Sequence, residues 1–262
     1  MKVITVINQK GGVGKTTTVA AMGAVLKEKG YRVLLIDLDM QRNLSIYYNL
    51  QNEFELDGTA ENIFGGKSVK IKPLTELVYE TEQGDIIPSS ENLAKVEEGT
   101  VGDKDRVNKL KNGLGDIDEY YDFVIIDTPP SLGIITLNAL TASDYAVIPT
   151  EAGAFSMVGL VQVNKTIQAV QKYSNPDLQI AGILITKFIK NTSANKQMKN
   201  YIEQIGQTIN QPIFKSTIKN TITIAETQIQ RISLTKYAEY NDVTYDYRHF
   251  VDELLEKIKE GK

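Results

Sequence analysis

The 262-residue sequence contains no cysteine and a single histidine. Without thiols there is neither a disulfide framework nor a thiolate metal site. The histidine, His249, has no candidate ligands beside it in sequence and reads as structural or exposed. No uninterrupted apolar run approaches the roughly 20 residues a membrane-spanning helix needs. Strand-like residues begin by Val3, which leaves no room for a signal peptide, so the expected location is cytoplasmic. What remains, 42% hydrophobic and 24% charged, is ordinary for a globular chain. Its length can bury one large α/β core or two smaller ones.

The strongest positive signal lies at the start. Val3-Ile4-Thr5-Val6-Ile7 is an apolar, β-branched run that reads as a buried parallel strand. It stops at Gly11-Gly12-Val13-Gly14-Lys15-Thr16-Thr17, and the spacing then predicts a helix over 15–29 with Val19, Met22, Gly23 and Leu26 on one face. Strand, glycine loop and a helix opening on Gly-Lys-Thr form the phosphate-binding loop arrangement. The glycines let backbone N–H groups point at a polyphosphate, and the helix N-terminus adds its positive end. Lys15 is placed to reach the β- and γ-phosphates, and the Thr16 hydroxyl to ligate Mg²⁺.

The rest of the chain alternates strand and helix, which predicts an α/β fold with a mostly parallel, twisted sheet and helices on both faces. A second strand over 31–36 ends in Asp37-Leu38-Asp39-Met40-Gln41, acids at the sheet edge where open α/β folds bind ligands. Residues 49–66 read as a helix-loop insertion. Short strands at 77–80 and 85–88 form a hairpin around Gln83-Gly84. Helices are expected at 91–98 and 106–120, with a mobile link over 99–105. Phe123-Val124-Ile125-Ile126-Asp127 fits a central strand delivering a carboxylate to Mg²⁺. Alone, Asp127 would read as a cap or turn former; the phosphate loop makes it a metal ligand. Strands at 146–150 and 180–186 flank a helix over 157–172.

One detail departs from the general loop: Gln9 replaces the usual first glycine, and a second lysine, Lys10, sits inside it. The string Lys10 through Thr17 resembles the deviant Walker family of ATPases, and with Asn8 and Gln9 it is most similar to the ParA/Soj branch, which segregates plasmids and chromosomes. The resemblance covers nearly the whole chain, to Ile224-Ala225-Glu226 and the final helix. It implies a single P-loop NTPase domain over 1–262 with ATP and Mg²⁺ as cofactors, and no N-terminal helix-turn-helix domain. It assigns nucleotide contacts to Lys10, Gly11, Gly12, Val13, Gly14, Lys15, Thr16 and Thr17, with Lys10 reaching a partner's nucleotide across a dimer interface. Thr16 and Asp127 would hold the metal, Asp37 would support it from behind, and Asp39 would position the attacking water. An ATP-closed homodimer would bind DNA non-specifically on the nucleoid and be released when a centromere-binding, ParB-like partner stimulates slow hydrolysis.

The last quarter is basic. Residues 187–236 hold eight cations (Lys187, Lys190, Lys196, Lys199, Lys215, Lys219, Arg231 and Lys236) against Glu203 and Glu226, in a chain of net charge −4. Two readings stay open, a DNA-binding face or a solvated basic surface. The family's Ile-Pro-Arg-Asn-x-Arg string is here Ile218-Lys219-Asn220-Thr221-Ile222-Thr223, with the proline and both arginines gone. Among rivals, a nitrogenase-type iron protein would need cysteines. A tyrosine autokinase would carry its tyrosines on a free tail, whereas Tyr237, Tyr240, Tyr245 and Tyr247 precede or enter an ordered helix. The alternative kept is a MinD-like membrane-associated positioning ATPase. The C-terminal stretch Val243, Tyr247, Phe250, Val251, Leu254, Leu255 and Ile258 has helical spacing, but its polar side is mixed to acidic, which favours core packing and no membrane contact.

Overall fold

The computed structural model describes all residues except 66–68, 97–102, 152–155, 190–192 and 261–262, and only the backbone at 156–157 and 194–196. Its strands are β1 (Lys2–Val6), β2 (Val33–Asp37), β3 (Tyr79–Thr81), β4 (Gly84–Ile87), β5 (Phe123–Asp127), β6 (Tyr145–Glu151), β7 (Gln179–Phe188) and β8 (Ile213–Lys219). They form one sheet in the order β3-β4-β2-β5-β1-β6-β7-β8. Every neighbouring pair is parallel except the β3–β4 hairpin at one edge. The expected α/β class and mostly parallel sheet are borne out.

The helices are α1 (Lys15–Glu28), α2 (Asn43–Tyr47), α3 (Glu61–Phe64), α4 (Lys109–Gly113), α5 (Ile134–Thr141), α6 (Ser156–Tyr173), α7 (Ser193–Thr208), α8 (Thr223–Gln230), α9 (Leu234–Tyr237) and α10 (Asp242–Glu260). A parallel sheet must be covered on both faces, and successive strand residues point to opposite sides. Ile4, Val6, Leu35, Ile125 and Val147 pack with α1, α2 and α10. On the other face, Val3, Leu34, Ile36 and Val124 meet α3, α4 and α5, while Ala146, Ile148, Ile183 and Ile185 meet α6 and α7.

α10 packs as its periodicity predicts. Val243, Tyr247, Phe250, Val251, Leu254 and Ile258 are buried, with Phe250 edge-to-face on Phe214 at 4.8 Å between centroids. Its acids also close the β8 edge. Glu253 accepts the Lys215 and Ser216 amides, and Asp246 accepts the Lys219 amide, so this edge offers fewer free donors to another strand.

Several expectations are corrected. α1 is buried from Thr18 to Leu26 and not along one stripe, because the sheet covers one side while α2 and α10 cover the other. The helix expected over 106–120 is only α4 followed by a 3-10 turn, Leu114–Ile117. The helix expected over 91–98 starts as a 3-10 turn, Glu91–Lys95, and is α-helical at Val96, with residues 97–98 outside the described residues, as is most of the 99–105 link. β2 starts at Val33, two residues later than read. The hairpin stands, and the 49–66 insertion holds a 3-10 turn, Glu53–Glu55, and α3.

Candidate nucleotide site

The carboxyl ends of β1, β2 and β5 place the site. The register sets Val6 and Asp37 on either side of Asp127, so the glycine loop leaves the sheet next to two strand-end carboxylates. Gly12 and Gly14 adopt left-handed backbone angles, φ 76° and 87°, which a side chain would strain. A Cβ added at Gly11 or Gly12 would meet nothing within 4 Å, so the backbone here faces open space. Gly14 starts α1 with no side-chain cap and no acid follows in the first turn. The first amides of a fourteen-residue helix are therefore left for an anion.

Long-range bonds hold the loop in this shape. Asn8 donates through Nδ2 to the Pro149 carbonyl at 2.7 Å and accepts the Lys10 amide at 3.0 Å. The Thr186 hydroxyl lies 2.8 Å from the Val13 carbonyl and 3.2 Å from the Thr150 carbonyl, tying the loop to β6 and β7. Gln228 on α8 donates to the Thr17 hydroxyl at 3.1 Å. The loop borders a cavity of about 700 Å³ that also takes in Asp39, Lys187, Lys219 and Gln228.

Lys15 is 7% exposed and lies with the acids beneath the loop. Burial holds its ammonium below the usual lysine range, and Asp127 and Asp39 offset part of that. Asp37 is fully buried and satisfied: Ser45 donates from both its amide and its hydroxyl, at 2.9 and 2.6 Å, and the Asp39 amide at 3.1 Å. Burial still raises its pKa to about 6, moderated by those bonds. Asp127 is different. Both carboxylate oxygens are buried and neither receives a hydrogen bond. Burial and then Asp37 raise its pKa well above the carboxylate range, while the Thr16 hydroxyl and Lys15 pull the other way. An orphaned, desolvated carboxylate next to a hydroxyl and a glycine cradle is a set of donors suited to a divalent cation on a polyphosphate. Among the described residues no three His, Asp or Glu side chains converge as a metal cage.

Asp39 is 7% exposed, and its Oδ1 accepts the Gln41 amide at 3.0 Å, which fixes the carboxylate at the cavity. Lys10 does not enter this cluster: its Nζ lies 2.9 Å from Glu151 Oε2 at the mouth. Sequence reasoning gives no role to Asn8, Thr186, Gln228 or Glu151. Glu151 was findable, since it is an acid at the carboxyl end of a strand, as Asp37 and Asp127 are.

The basic residues do not gather in one place. Lys187 and Lys219 border the nucleotide cavity, paired with Glu151 and Asp242 respectively. Lys199, 3.9 Å from Glu203, shares a groove beyond β8 with Lys215. Arg231 and Lys236 flank a third depression with Lys27, Glu28 and Glu82. Lys190 and the Lys196 side chain lie outside the described residues. Tyr47, Tyr247 and Leu234 wall the inner end of the cavity, and His249 is exposed on α10.

Comparison with known proteins agrees with this geometry. Residues 1–180 match the AAA domain family AAA_31. The Bacillus subtilis sporulation initiation inhibitor protein Soj is 36% identical over 227 residues, 86% of this chain and 87% of its own. The Myxococcus xanthus chromosome partitioning protein ParA is 32% identical over 227 residues, 86% and 77% of the two chains. A Mycobacterium smegmatis structure named cobyrinic acid a,c-diamide synthase, with bound ADP and magnesium, has TM-score 0.85 at 32% identity and covers 100% of this chain and 97% of its own. A Borrelia burgdorferi plasmid partition protein has TM-score 0.75 at 28% identity, covering 98% of both chains. The Pyrococcus furiosus cell division ATPase MinD shares the fold, with TM-score 0.76 at 18% identity over 97% of this chain and 98% of its own. With a matching family model, curated relatives along most of the chain and a phosphate loop built as its residues require, this chain belongs to the ParA/Soj-like deviant Walker family of ATPases.

Proposed function

We propose that the protein is a partition ATPase that binds ATP with Mg²⁺, closes into a homodimer, binds DNA without sequence preference and is released by partner-stimulated hydrolysis. The observation that carries this reading is the unbonded, fully buried Asp127 carboxylate beside Thr16 and Lys15, under open glycine backbone. Bound Mg²⁺ supplies charge neutralisation on the terminal phosphates. Gly11 to Thr17 present amides to those phosphates, Lys15 places an ammonium on them, and Thr16 and Asp127 hold the ion. Asp37, locked by Ser45, keeps the neighbouring strand end in place. Asp39 orients water, and no histidine base is needed, because phosphoryl transfer rests on positioning and electrostatics.

Residues 1–262 act in this proposal as one ATPase domain. Lys10 acts in trans, so Lys10→Ala should bind ATP as a monomer yet neither dimerise nor hydrolyse it. Analytical ultracentrifugation with ATP and with ADP checks this, and a normal ATP-dependent dimer with normal turnover removes Lys10 from the interface. DNA is the partner for the basic quarter, and a ParB-like centromere-binding protein the partner that triggers release. Phosphate contacts give a salt slope of about −0.9 per contact on duplex DNA. Replacing Lys215, Lys219 and Arg231 together by Ala should weaken DNA binding on all sequences alike and flatten that slope, and ATP affinity is measured beside it because Lys219 borders the nucleotide cavity. Undiminished affinity would move the face towards Lys187, Lys190, Lys196 and Lys199.

The MinD-like alternative needs a membrane helix. The apolar side of α10 is spent on β8 and α1. Co-sedimentation with DNA or with anionic liposomes, each with ATP, separates the two readings.

A further inference from the structure

At the mouth of the phosphate loop one carboxylate serves two ammonium groups. Glu151, the last residue of β6, pairs through Oε2 with Lys10 at 2.9 Å and through Oε1 with Lys187 at 2.8 Å. The lysines come from elements far apart in sequence, the loop after β1 and the end of β7. Both strands flank β6 in the sheet, which is why one strand-end residue reaches both. Glu151 is registered with Thr186, whose hydroxyl ties the loop carbonyl of Val13 to β6. Lys187, next in the chain, takes a left-handed backbone, φ 51°, unusual for a residue with a side chain and a mark of imposed geometry. It also borders the nucleotide cavity.

We infer that Glu151 is a positioning residue that gathers Lys10 and Lys187 at the loop mouth before nucleotide arrives, and that Lys187 is a further contact for the terminal phosphate. The inference rests on the nucleotide site proposed above. The two lysines and the glutamate together carry one net positive charge, so the mouth attracts a polyphosphate while the lysines stay collected. Partial burial works against the charged glutamate, yet the hydrogen bonds from Lys10 and Lys187 outweigh it and hold its carboxyl below the ordinary range. The phosphate then competes with Glu151 for the same cations. All three groups are a quarter to a half exposed, so each pair is weak enough to exchange. Lys187 thereby counts among the cations of the nucleotide site.

The competition has a direction that can be measured by titration calorimetry with Mg·ATPγS and Mg·ADP. Releasing exposed ion pairs permits an effect of about threefold. Glu151→Gln keeps the side chain's shape, removes the competitor, and should tighten ATPγS by about that factor with ADP changed less. Lys187→Gln should weaken ATPγS by a similar factor, and again ADP less. In the double variant Glu151→Gln, Lys187→Gln, the gain from the first change should shrink, because one of the released cations is gone. Both differences should fade in high salt. A thermal melt of each variant distinguishes lost folding from lost contact. If the wild-type chain binds both nucleotides and the single variants bind them with unchanged affinity and unchanged ATPγS preference, the inference is wrong and the nucleotide site stands. If the wild-type chain binds neither nucleotide, the site reading fails and this inference with it.

Discussion

Lys15→Ala should bind neither ATP nor ADP at concentrations that saturate the wild-type protein. The ammonium is 7% exposed under the loop, between Asp127 and Asp39, and other cations stand at the mouth. Hydrogen bonds to charged groups contribute about 1.5–3 kcal/mol each, and losing one or more from a single ammonium weakens binding about 100-fold or further. The substitution acts on the empty protein too. Asp127 loses the cation that favours its charged form, so burial and the charge on Asp37 act on it less opposed. The carboxyl pKa then rises further, the protonated form gains, and the metal loses the ligand it needs. Lys15→Gln keeps most of the side-chain volume and serves as the control for packing. Calorimetric titration with Mg·ADP is the measurement. Affinity near the wild-type value in both variants would overturn the phosphate-loop assignment.

Asp39→Ala should bind ATP within about threefold of normal and lose turnover by about 100-fold to 1,000-fold, the range seen when one positioned electrostatic group is removed. The carboxylate is set by two bonds along its own turn. Its backbone amide donates to Asp37 Oδ1 at 3.1 Å, and its Oδ1 accepts the Gln41 amide at 3.0 Å. One oxygen is thus held by protein while the group as a whole borders the cavity. Binding should survive because Lys15, Thr16 and the loop amides are untouched. Asp39→Asn keeps an oxygen for the Gln41 amide but loses the charge, so it separates the two contributions. If the charge orients the water, Asn is as slow as Ala; if only the turn matters, Asn is near wild type. Single-turnover hydrolysis beside equilibrium ATP binding reads both quantities. Unchanged turnover in Asp39→Ala would remove the residue from the mechanism.

Local rules reached far into this chain. The phosphate loop was legible because Gly12 and Gly14 are the residues that left-handed turns demand, and because a β-branched run before them and a helix after them have their own periods. Strands β5, β6 and β7 were legible as apolar runs, since a parallel sheet buries both faces. The acids at 37 and 39 follow from the rule that strand carboxyl ends carry the ligand edge of an open α/β sheet, and Asp127 from an apolar strand ending in a carboxylate paired with a phosphate loop. Family resemblance supplied roles for Lys10 and Asp39 that spacing could not.

What stayed hidden depended on partners distant in sequence. α7 carries a readable helical period, being polar on one side and apolar on the other, whereas β8 and α8 gave no clear signal, β8 being an edge strand whose amides are closed by acids on α10. The surround of α1 could not be read from its own residues, because burial all round needs a sheet on one side and α10, more than 200 residues away, on the other. A count of eight cations in fifty residues suggested a face; the fold divides the described ones among three places and pairs several with acids, since charge along a chain says nothing about which elements turn it the same way. The sequence by itself determined the fold class and the backbone geometry of the glycine loop, both products of short-range period and turn geometry. Only the tertiary structure decided that Asp127 is buried without a hydrogen-bond partner and that Lys10 rests on Glu151. Those facts come from strand order and register, which bring together residues more than a hundred positions apart.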